Sequence, residues 1–494
     1  MLVKLAIRKP LARSLFGIGA LTLLSACISN NPPVHSEQGI VRDYFAAAAP
    51  TAKPAELIDE SLDGQVQTRR YRFVSQTWPR NFSTLTSDTP QWQHELRIYR
   101  PKNLRANAPT LLYINSGINL PTPDDIKGKP VDFPGKVLAN KLGIVVADLY
   151  FVPNQQLSLD GRPPGREDDL VAFTWRRFID APETERFSSL HLPMAQAVRE
   201  AMNVVQQQQT QGTASFVLAG ASKRGWTAWL TGLNDERVKA VVPIVADFWN
   251  VKENFTHVYR SYGNEWPVAL RNYVDNKVVD DILASTPALD RLTAFEDVVN
   301  YPTQMARLDK YMISAAGDDF AVPDSAWAYL PKFTGTTLVR YLPNQSHAIN
   351  GALVLENMGK YLTHTLEGQR TPRVTVSSDP ASGMVTLETD TQATNARAWV
   401  AINPTKRDFR LRSNINYQQH EVSGGCNANG CRFSYQPDPS QTGWQSYFIE
   451  LESEGLPLTS PPLIWPRTYP GGQPVPLNYG TLTLSQGSAA THTK

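Results

Sequence analysis

Apolar and polar positions change their grammar several times along the chain. Residues 93–99 (Gln-His-Glu-Leu-Arg-Ile-Tyr) alternate polar and apolar, as in an antiparallel strand with one buried face. Residues 110–114, 143–147, 214–219, 240–245 and 311–314 are unbroken apolar runs. Such runs suit strands of a parallel sheet covered on both faces. Between them, residues 167–178, 192–209 and 225–233 carry helical spacing. Strands alternating with helices predict right-handed βαβ units and an α/β, doubly wound sheet over residues 66–370.

Residues 248–303 interrupt this rhythm and are rich in aromatic residues, among them Phe248, Trp249, Phe255, Trp266 and Tyr273. They read as an insertion above the carboxyl ends of the strands, where lids and specificity elements sit, or as an extra helical hairpin on the core. After Gly368 the pattern becomes short alternating segments separated by turn residues, which predicts an all-β sandwich over residues 371–468. Residues 27–65, rich early on in Asn, Pro, Ala and Ser, read as a flexible tether, and residues 469–494 as a loose polar tail.

The first 26 residues read as an address. Lys4, Arg8, Lys9 and Arg13 precede an apolar stretch over 15–24 that is too short to span a membrane as a helix. The following Leu24-Ser25-Ala26-Cys27 has the bacterial lipobox pattern. It predicts cleavage before Cys27, lipidation of that thiol and attachment to a membrane by acyl chains. Ile28, where an Asp would signal retention, favours the outer membrane facing the periplasm. The plainer reading is an ordinary cleaved signal with Cys27 incidental. The other two cysteines, Cys426 and Cys431, flank Asn427-Ala428-Asn429-Gly430, and a disulfide across a hairpin turn is expected.

Composition narrows the chemistry. With 41% hydrophobic and 19% charged residues in 494, the chain belongs with folded globular proteins. A net charge of +2 leaves no electrostatic footprint for nucleic acid. H-E-x-x-H, G-x-G-x-x-G and P-loop patterns do not occur, so no metal, dinucleotide or nucleotide cofactor is implied.

Leu218-Ala219-Gly220-Ala221-Ser222-Lys223-Arg224-Gly225 closes a predicted strand and opens a helix. A serine at such a turn is lifted above the sheet, the nucleophile elbow of α/β-hydrolases, although Arg224 stands where G-x-S-x-G has its second glycine. Gly317-Asp318-Asp319 follows the next-to-last strand and Asn344-Gln345-Ser346-His347 the last, giving the order Ser, Asp, His. Ser222 is the candidate nucleophile and His347 the base. Asp318 or Asp319 is the acid, the other being free to cap the helix near Asp324. The backbone N–H of Lys223 and a second donor near Gly117 or Ile118 are the candidate oxyanion hole. Asp148 and Asn154 lie near the same face. Asp168 and Asp169 open a helix and read as caps, while His94 and His191 read as structural histidines.

Several stretches resemble the PhoPQ-activated pathogenicity-related protein family. They include Trp92-Gln93-His94, Val146-Ala147-Asp148-Leu149, Arg166-Glu167-Asp168-Asp169, Gly220-Ala221-Ser222-Lys223-Arg224-Gly225, Gly317-Asp318-Asp319-Phe320 and Pro343-Asn344-Gln345-Ser346-His347. The resemblance implies an α/β-hydrolase-like domain with a C-terminal β-domain, and it carries the acid onto Asp318; the spacing to Val322-Pro323 favours Asp319. The G-x-S-[KR]-x-G form is also similar to glucuronoyl esterases, which makes the Lys223 side chain a candidate oxyanion helper against the plainer reading of a solvated first-turn lysine. The expectation is a lipid-anchored serine hydrolase acting on a small-molecule or envelope ester. The alternative is a non-catalytic binding or envelope-integrity lipoprotein on the same scaffold.

Overall fold

A computed structural model describes residues 37–119, 129–208 and 215–487. The segment expected to be a signal peptide, residues 1–26, and Cys27 lie outside the described residues. The largest sheet is built from β1 (Lys53–Asp63), β2 (Val66–Thr77), β3 (Gln91–Pro101), β4 (Thr110–Ile114), β5 (Val146–Leu149), β6 (Phe216–Ala221), β7 (Val238–Ile244), β8 (Asp309–Ala315) and β9 (Thr337–Leu342). The strand order is β1-β2-β3-β5-β4-β6-β7-β8-β9. The first three strands and the β3–β5 pair run antiparallel. From β5 to β9 every pairing is parallel, which is the α/β-hydrolase arrangement. The parallel strands are buried almost throughout, as their apolar runs require.

Helices α1 (Ile40–Ala48), α2 (Gly135–Leu142), α3 (Asp168–Asp180), α4 (His191–Gln207) and α5 (Lys223–Asn234) flank the sheet. The segment between β7 and β8 is helical, with α6 (Val251–Ser261), α7 (Arg271–Asp275), α8 (Val278–Ala284), α9 (Pro287–Glu296) and α10 (Pro302–Ala306). Helix α11 (Gly351–Leu366) follows β9. Trp226 and Trp229 on α5 pack edge-on against Trp249 beneath the insertion, so the aromatic residues of that segment serve the core as well as the site.

The C-terminal strands are β10 (Arg373–Ser378), β11 (Val385–Thr389), β12 (Ala393–Asn403), β13 (Gln418–His420), β14 (Ser423–Asn427), β15 (Gly430–Tyr435), β16 (Trp444–Ser453), β17 (Leu456–Thr459), β18 (Leu463–Trp465) and β19 (Leu482–Gln486). They form two antiparallel sheets, β14-β15-β11-β10-β19 and β13-β12-β16-β17, with β18 also on β16. Cys426 and Cys431 face each other across the β14–β15 turn and are joined by a disulfide.

Two expectations are corrected. From Glu37 onward the segment assigned to a tether over 27–65 is structured. Ile40, Val41, Tyr44 and Phe45 form one buried stripe of α1, at the i, i+1, i+4, i+5 spacing of an amphipathic helix. Strand β1 is an exposed edge strand, so it lacks the apolar alternation that marks a strand in sequence. The tail assigned to 469–494 is likewise docked as far as it is described: Tyr469 and Tyr479 are buried, and β19 pairs with β10.

That tail helps to lock the β-domain onto the loop that follows β8. Asp324, fully buried six residues beyond Asp318, accepts from Arg407 (2.5 Å) and from the Tyr479 hydroxyl (2.6 Å), and lies 3.0 Å from His257 Nε2 on α6. Tyr469 OH stands 2.9 Å from the other ring nitrogen of His257. Burial alone would raise the Asp324 pKa; Arg407 and His257 outweigh it and hold the carboxyl below its usual range. The cluster joins the insertion, the loop after β8, the β-domain and the tail.

Candidate active site

Register places the three loops of the site side by side. Because β4 runs parallel to β6 with Ile114 opposite Gly220, the loop from Asn115 leaves the sheet beside the elbow. Because β8 and β9 are parallel with Ala315 opposite Leu342, the loops after them also emerge together, tied by Gly317 N–H to the Gln345 carbonyl at 3.0 Å.

Ser222 sits between β6 and α5 with φ 56° and ψ −125°, a backbone state that a non-glycine residue holds only when its surroundings enforce it. The enforcement is visible in its neighbours. A Cβ on Gly220 would stand 2.7 Å from the Arg224 carbonyl oxygen, and one on Gly225 would stand 2.9 Å from Ala246 Cβ. Gly220 and the displaced Gly225 therefore let strand and helix approach as the elbow needs.

Ser222 Oγ lies 2.9 Å from His347 Nε2. His347 Nδ1 lies 3.0 and 2.9 Å from the two oxygens of Asp318, which also accepts from Phe320 N–H at 2.8 Å. A carboxylate at Nδ1 keeps the proton there and leaves Nε2 as the acceptor facing the serine. Asp319 turns the other way and pairs with Arg412 of the β-domain at 3.3 Å. It caps no helix. The ring of Phe320 packs 4.4 Å from that of His347, centre to centre, and limits its swing. Leu411 N–H donates to the Gly317 carbonyl at 3.1 Å, so the β-domain also braces the loop that carries Asp318.

The Lys223 N–H opens α5 and has no acceptor within the helix. Across the site, Gly117 adopts φ 114°, and its carbonyl accepts from Gln155 Nε2 at 3.2 Å. Ile118 bridges to Gln155, and Asn119 N–H donates to the Gln155 carbonyl at 2.9 Å. At the base of the loop, Asn115 Oδ1 accepts from Ser116 N–H and Val131 N–H, and its Nδ2 donates to Asp148 at 2.9 Å. Burial pushes the Asp148 carboxyl up to about 7. Asn154 accepts from the Asn119 side chain at 2.8 Å. Asp148 and Asn154 thus shape the loop.

The Lys223 side chain is neither solvated nor free. Nζ is buried, 2.9 Å from Glu167 and 3.1 Å from Asp168. Arg224 meets the same Glu167 with both terminal nitrogens at 2.6 Å, and Gln155 Nε2 donates to it at 2.7 Å. Burial would raise the Glu167 pKa, but Arg224 and Lys223 outweigh it and keep the carboxyl well below its usual range. Glu167 thereby ties the elbow to Gln155 and so to the Gly117 loop. This link was missed in sequence, though an acidic run at 167–169 and a basic pair at 223–224 offered the signal of complementary charge. Asp168 pairs with Lys223 and accepts from Tyr273 (3.2 Å), and Asp169 pairs with Arg162; these are their bonds in place of the expected caps. His94 is buried between Ser75 Oγ and the Tyr150 carbonyl, and burial lowers its pKa to about 4. Among the described residues, no group of three or more His, Cys, Asp or Glu side chains is arranged to hold a metal.

A family model described as PhoPQ-activated pathogenicity-related protein matches residues 41–410. Autocrine proliferation repressor protein A of Dictyostelium discoideum is 30% identical over 433 residues, covering 81% of this chain and 85% of that protein. Among solved structures, an acetyl xylan esterase from Paenibacillus sp. R4 aligns with a TM-score of 0.45 at 14% identity, over 67% of this chain and 96% of that one. A glucuronoyl esterase from Solibacter usitatus aligns with a TM-score of 0.38 at 14% identity, over 67% and 91%.

Proposed function

The chain belongs to the PhoPQ-activated pathogenicity-related protein family, and from that premise we propose that it is a serine hydrolase of carboxylic esters. The observation that carries the reading is the unbroken run from Ser222 Oγ through His347 to Asp318, with every link at or below 3.0 Å. In this reading Ser222 Oγ attacks the ester carbon while His347 Nε2 takes its proton. The carbonyl oxygen becomes an oxyanion that accepts from the Lys223 N–H and from a donor of the Gly117–Ile118 turn. The tetrahedral adduct collapses, His347 passes the proton to the departing alcohol, and the acyl group stays on Ser222. Water, deprotonated by His347, then releases the acid and restores the serine. Asp318 holds the imidazole in its working tautomer throughout. Glu167 serves as a positioning residue that keeps both halves of the oxyanion hole in register.

The proposal includes location. Leu24-Ser25-Ala26-Cys27 supports lipidation of Cys27, and Ile28 supports an outer-membrane anchor facing the periplasm, where the substrate is an envelope or small-molecule ester. The test is labelling of Ser222 by a fluorophosphonate, together with turnover of simple esters that is lost in Ser222→Ala.

A further inference from the structure

Beside the Ser222–His347 pair lies an open groove to which three parts of the chain contribute. It is lined by Val268 of the insertion, by Phe320 and Ser346 of the loops after β8 and β9, and by Leu411 and Arg412 of the β-domain. Its volume is about 510 Å³, within the range of ligand sites, roughly 300–1,000 Å³. Phe320 also walls the pocket that contains Ser222, where only about 20 Å³ is free, room for one water. The bulk of a substrate therefore belongs in the groove. His347 follows Ser346 directly, packs on the Phe320 ring and keeps 18% of its side chain exposed. In ester cleavage the imidazole protonates the departing alcohol, so the alcohol leaves on the side of His347, where the groove lies.

The groove is mostly apolar, and Val268, 73% exposed, leaves bare hydrocarbon there. Its polar feature is Arg412. Nε of Arg412 lies 3.3 Å from Asp319, and the side chain is 45% exposed. Among the described residues, the two terminal nitrogens of Arg412 donate no hydrogen bond to the protein. The turn that presents them is fixed. Leu411 N–H is bonded to Gly317, and Ser413 N–H donates to the Arg410 carbonyl at 2.8 Å. Arg410 grips Asp408 through Nε at 2.8 Å and a terminal nitrogen at 2.5 Å, and lies 4.2 Å over the Tyr262 ring. Arg410 also attracts Asp319, so that one carboxylate is shared between two arginines. A guanidinium held by one edge, with its fork turned to solvent, suits an anionic oxygen group.

Resting on the reading of Ser222 as the nucleophile, we infer that the groove takes the alcohol part of the ester, that this part has an apolar body carrying an anionic group, and that Arg412 reads the anion. The β-domain thereby supplies a specificity-determining residue to a reaction whose nucleophile, base and acid all lie in the other domain.

The experiment compares 3-acetoxybenzoate with 3-acetoxybenzamide, which share the acyl group and match in heavy-atom count, and with the cationic 3-acetoxy-N,N,N-trimethylanilinium. Each kcat/KM is divided by the rate of cleavage of the same ester by free imidazole, which removes intrinsic reactivity. The expected result is a preference of about 5-fold for the carboxylate over the amide, the scale of one partly exposed ion pair, with the cation below both. The preference should shrink at 0.5 M NaCl and fall to near one in Arg412→Gln. A second measurement needs no turnover of these esters: 3-hydroxybenzoate should protect Ser222 from a fluorophosphonate at lower concentration than 3-hydroxybenzamide, and Arg412→Gln should remove the difference. A ratio near one in the wild type by both measurements, or a preference that persists in Arg412→Gln, overturns the inference. If Ser222 still labels in that case, the hydrolase reading stands. A folded protein whose Ser222 never labels overturns the hydrolase reading, and with it the alcohol assignment.

Discussion

Replacing Asp318 by Asn probes the arrangement where two adjacent carboxylates have opposite surroundings. Asp318 presents both oxygens to His347 Nδ1 within 3.0 Å and is 6% exposed. An amide at this site loses the charge that steadies the imidazolium and can present its NH₂ to Nδ1, which favours the wrong tautomer. The expected loss in kcat is about 10⁴-fold, equivalent to about 5.4 kcal/mol at 1.36 kcal/mol per decade. Folding should suffer little, because the amide oxygen can still accept from Phe320 N–H; about 0.5–1.5 kcal/mol is at stake. Asp319→Asn removes the pairing with Arg412, whose side chain is 45% exposed, and the attraction to Arg410. An exposed pair contributes about 0–1 kcal/mol, and turnover should stay within about threefold. Steady-state kinetics on one ester and urea unfolding of both variants separate the two effects. Equal kinetic losses from both substitutions, or a small loss from Asp318→Asn, would refute the assignment of Asp318 as partner of His347.

Three further outcomes follow from buried charges and from the leader. Arg407→Ala leaves Asp324 buried without its main counter-charge and should cost about 3–5 kcal/mol in urea unfolding; a loss below about 1 kcal/mol contradicts the interdomain latch. Asp148, with its folded pKa raised to about 7 against an unfolded value near 3.9, favours the protonated state in the fold, so its contribution to stability falls as pH rises through that window and levels off above it. The stability of wild type minus that of Asp148→Asn should therefore decline by about 1.4 kcal/mol per pH unit between roughly pH 4 and 7, and a flat difference contradicts the burial argument. Cys27→Ala should abolish incorporation of labelled palmitate and release the protein from membranes; unchanged acyl labelling removes the lipid anchor from the account.

The elements that were legible in sequence are those written locally. Residues 110–114 are an unbroken apolar run because β4 is buried on both faces, and that run marks the strand to the residue. Ser222 and His347 stand out because each follows a strand in the expected order, and a strand–turn–helix has its own small-residue signature in Gly220 and Gly225. Choosing between Asp318 and Asp319 was beyond local pattern, since neighbours on one turn differ only in which way each side chain leaves it. The Glu167 junction brings together residues from three separate loops, and only the register of β4 and β6 puts them in reach. The helix α1 carried a readable stripe at Ile40, Val41, Tyr44 and Phe45, masked by the alanine run that follows. The docking of the tail through Tyr469 and Tyr479 left no periodic trace, because single aromatic anchors have none.

The central claim is that Ser222 is a nucleophile activated by His347, and active-site labelling tests it most directly. Purified protein is treated with a fluorophosphonate at neutral pH, digested and examined by mass spectrometry. The account predicts a single phosphonylated peptide carrying the modification on Ser222, labelling that is lost in Ser222→Ala, and labelling slowed by orders of magnitude in His347→Ala at unchanged fold. Wild-type protein that is folded and yet unlabelled at Ser222 would contradict it.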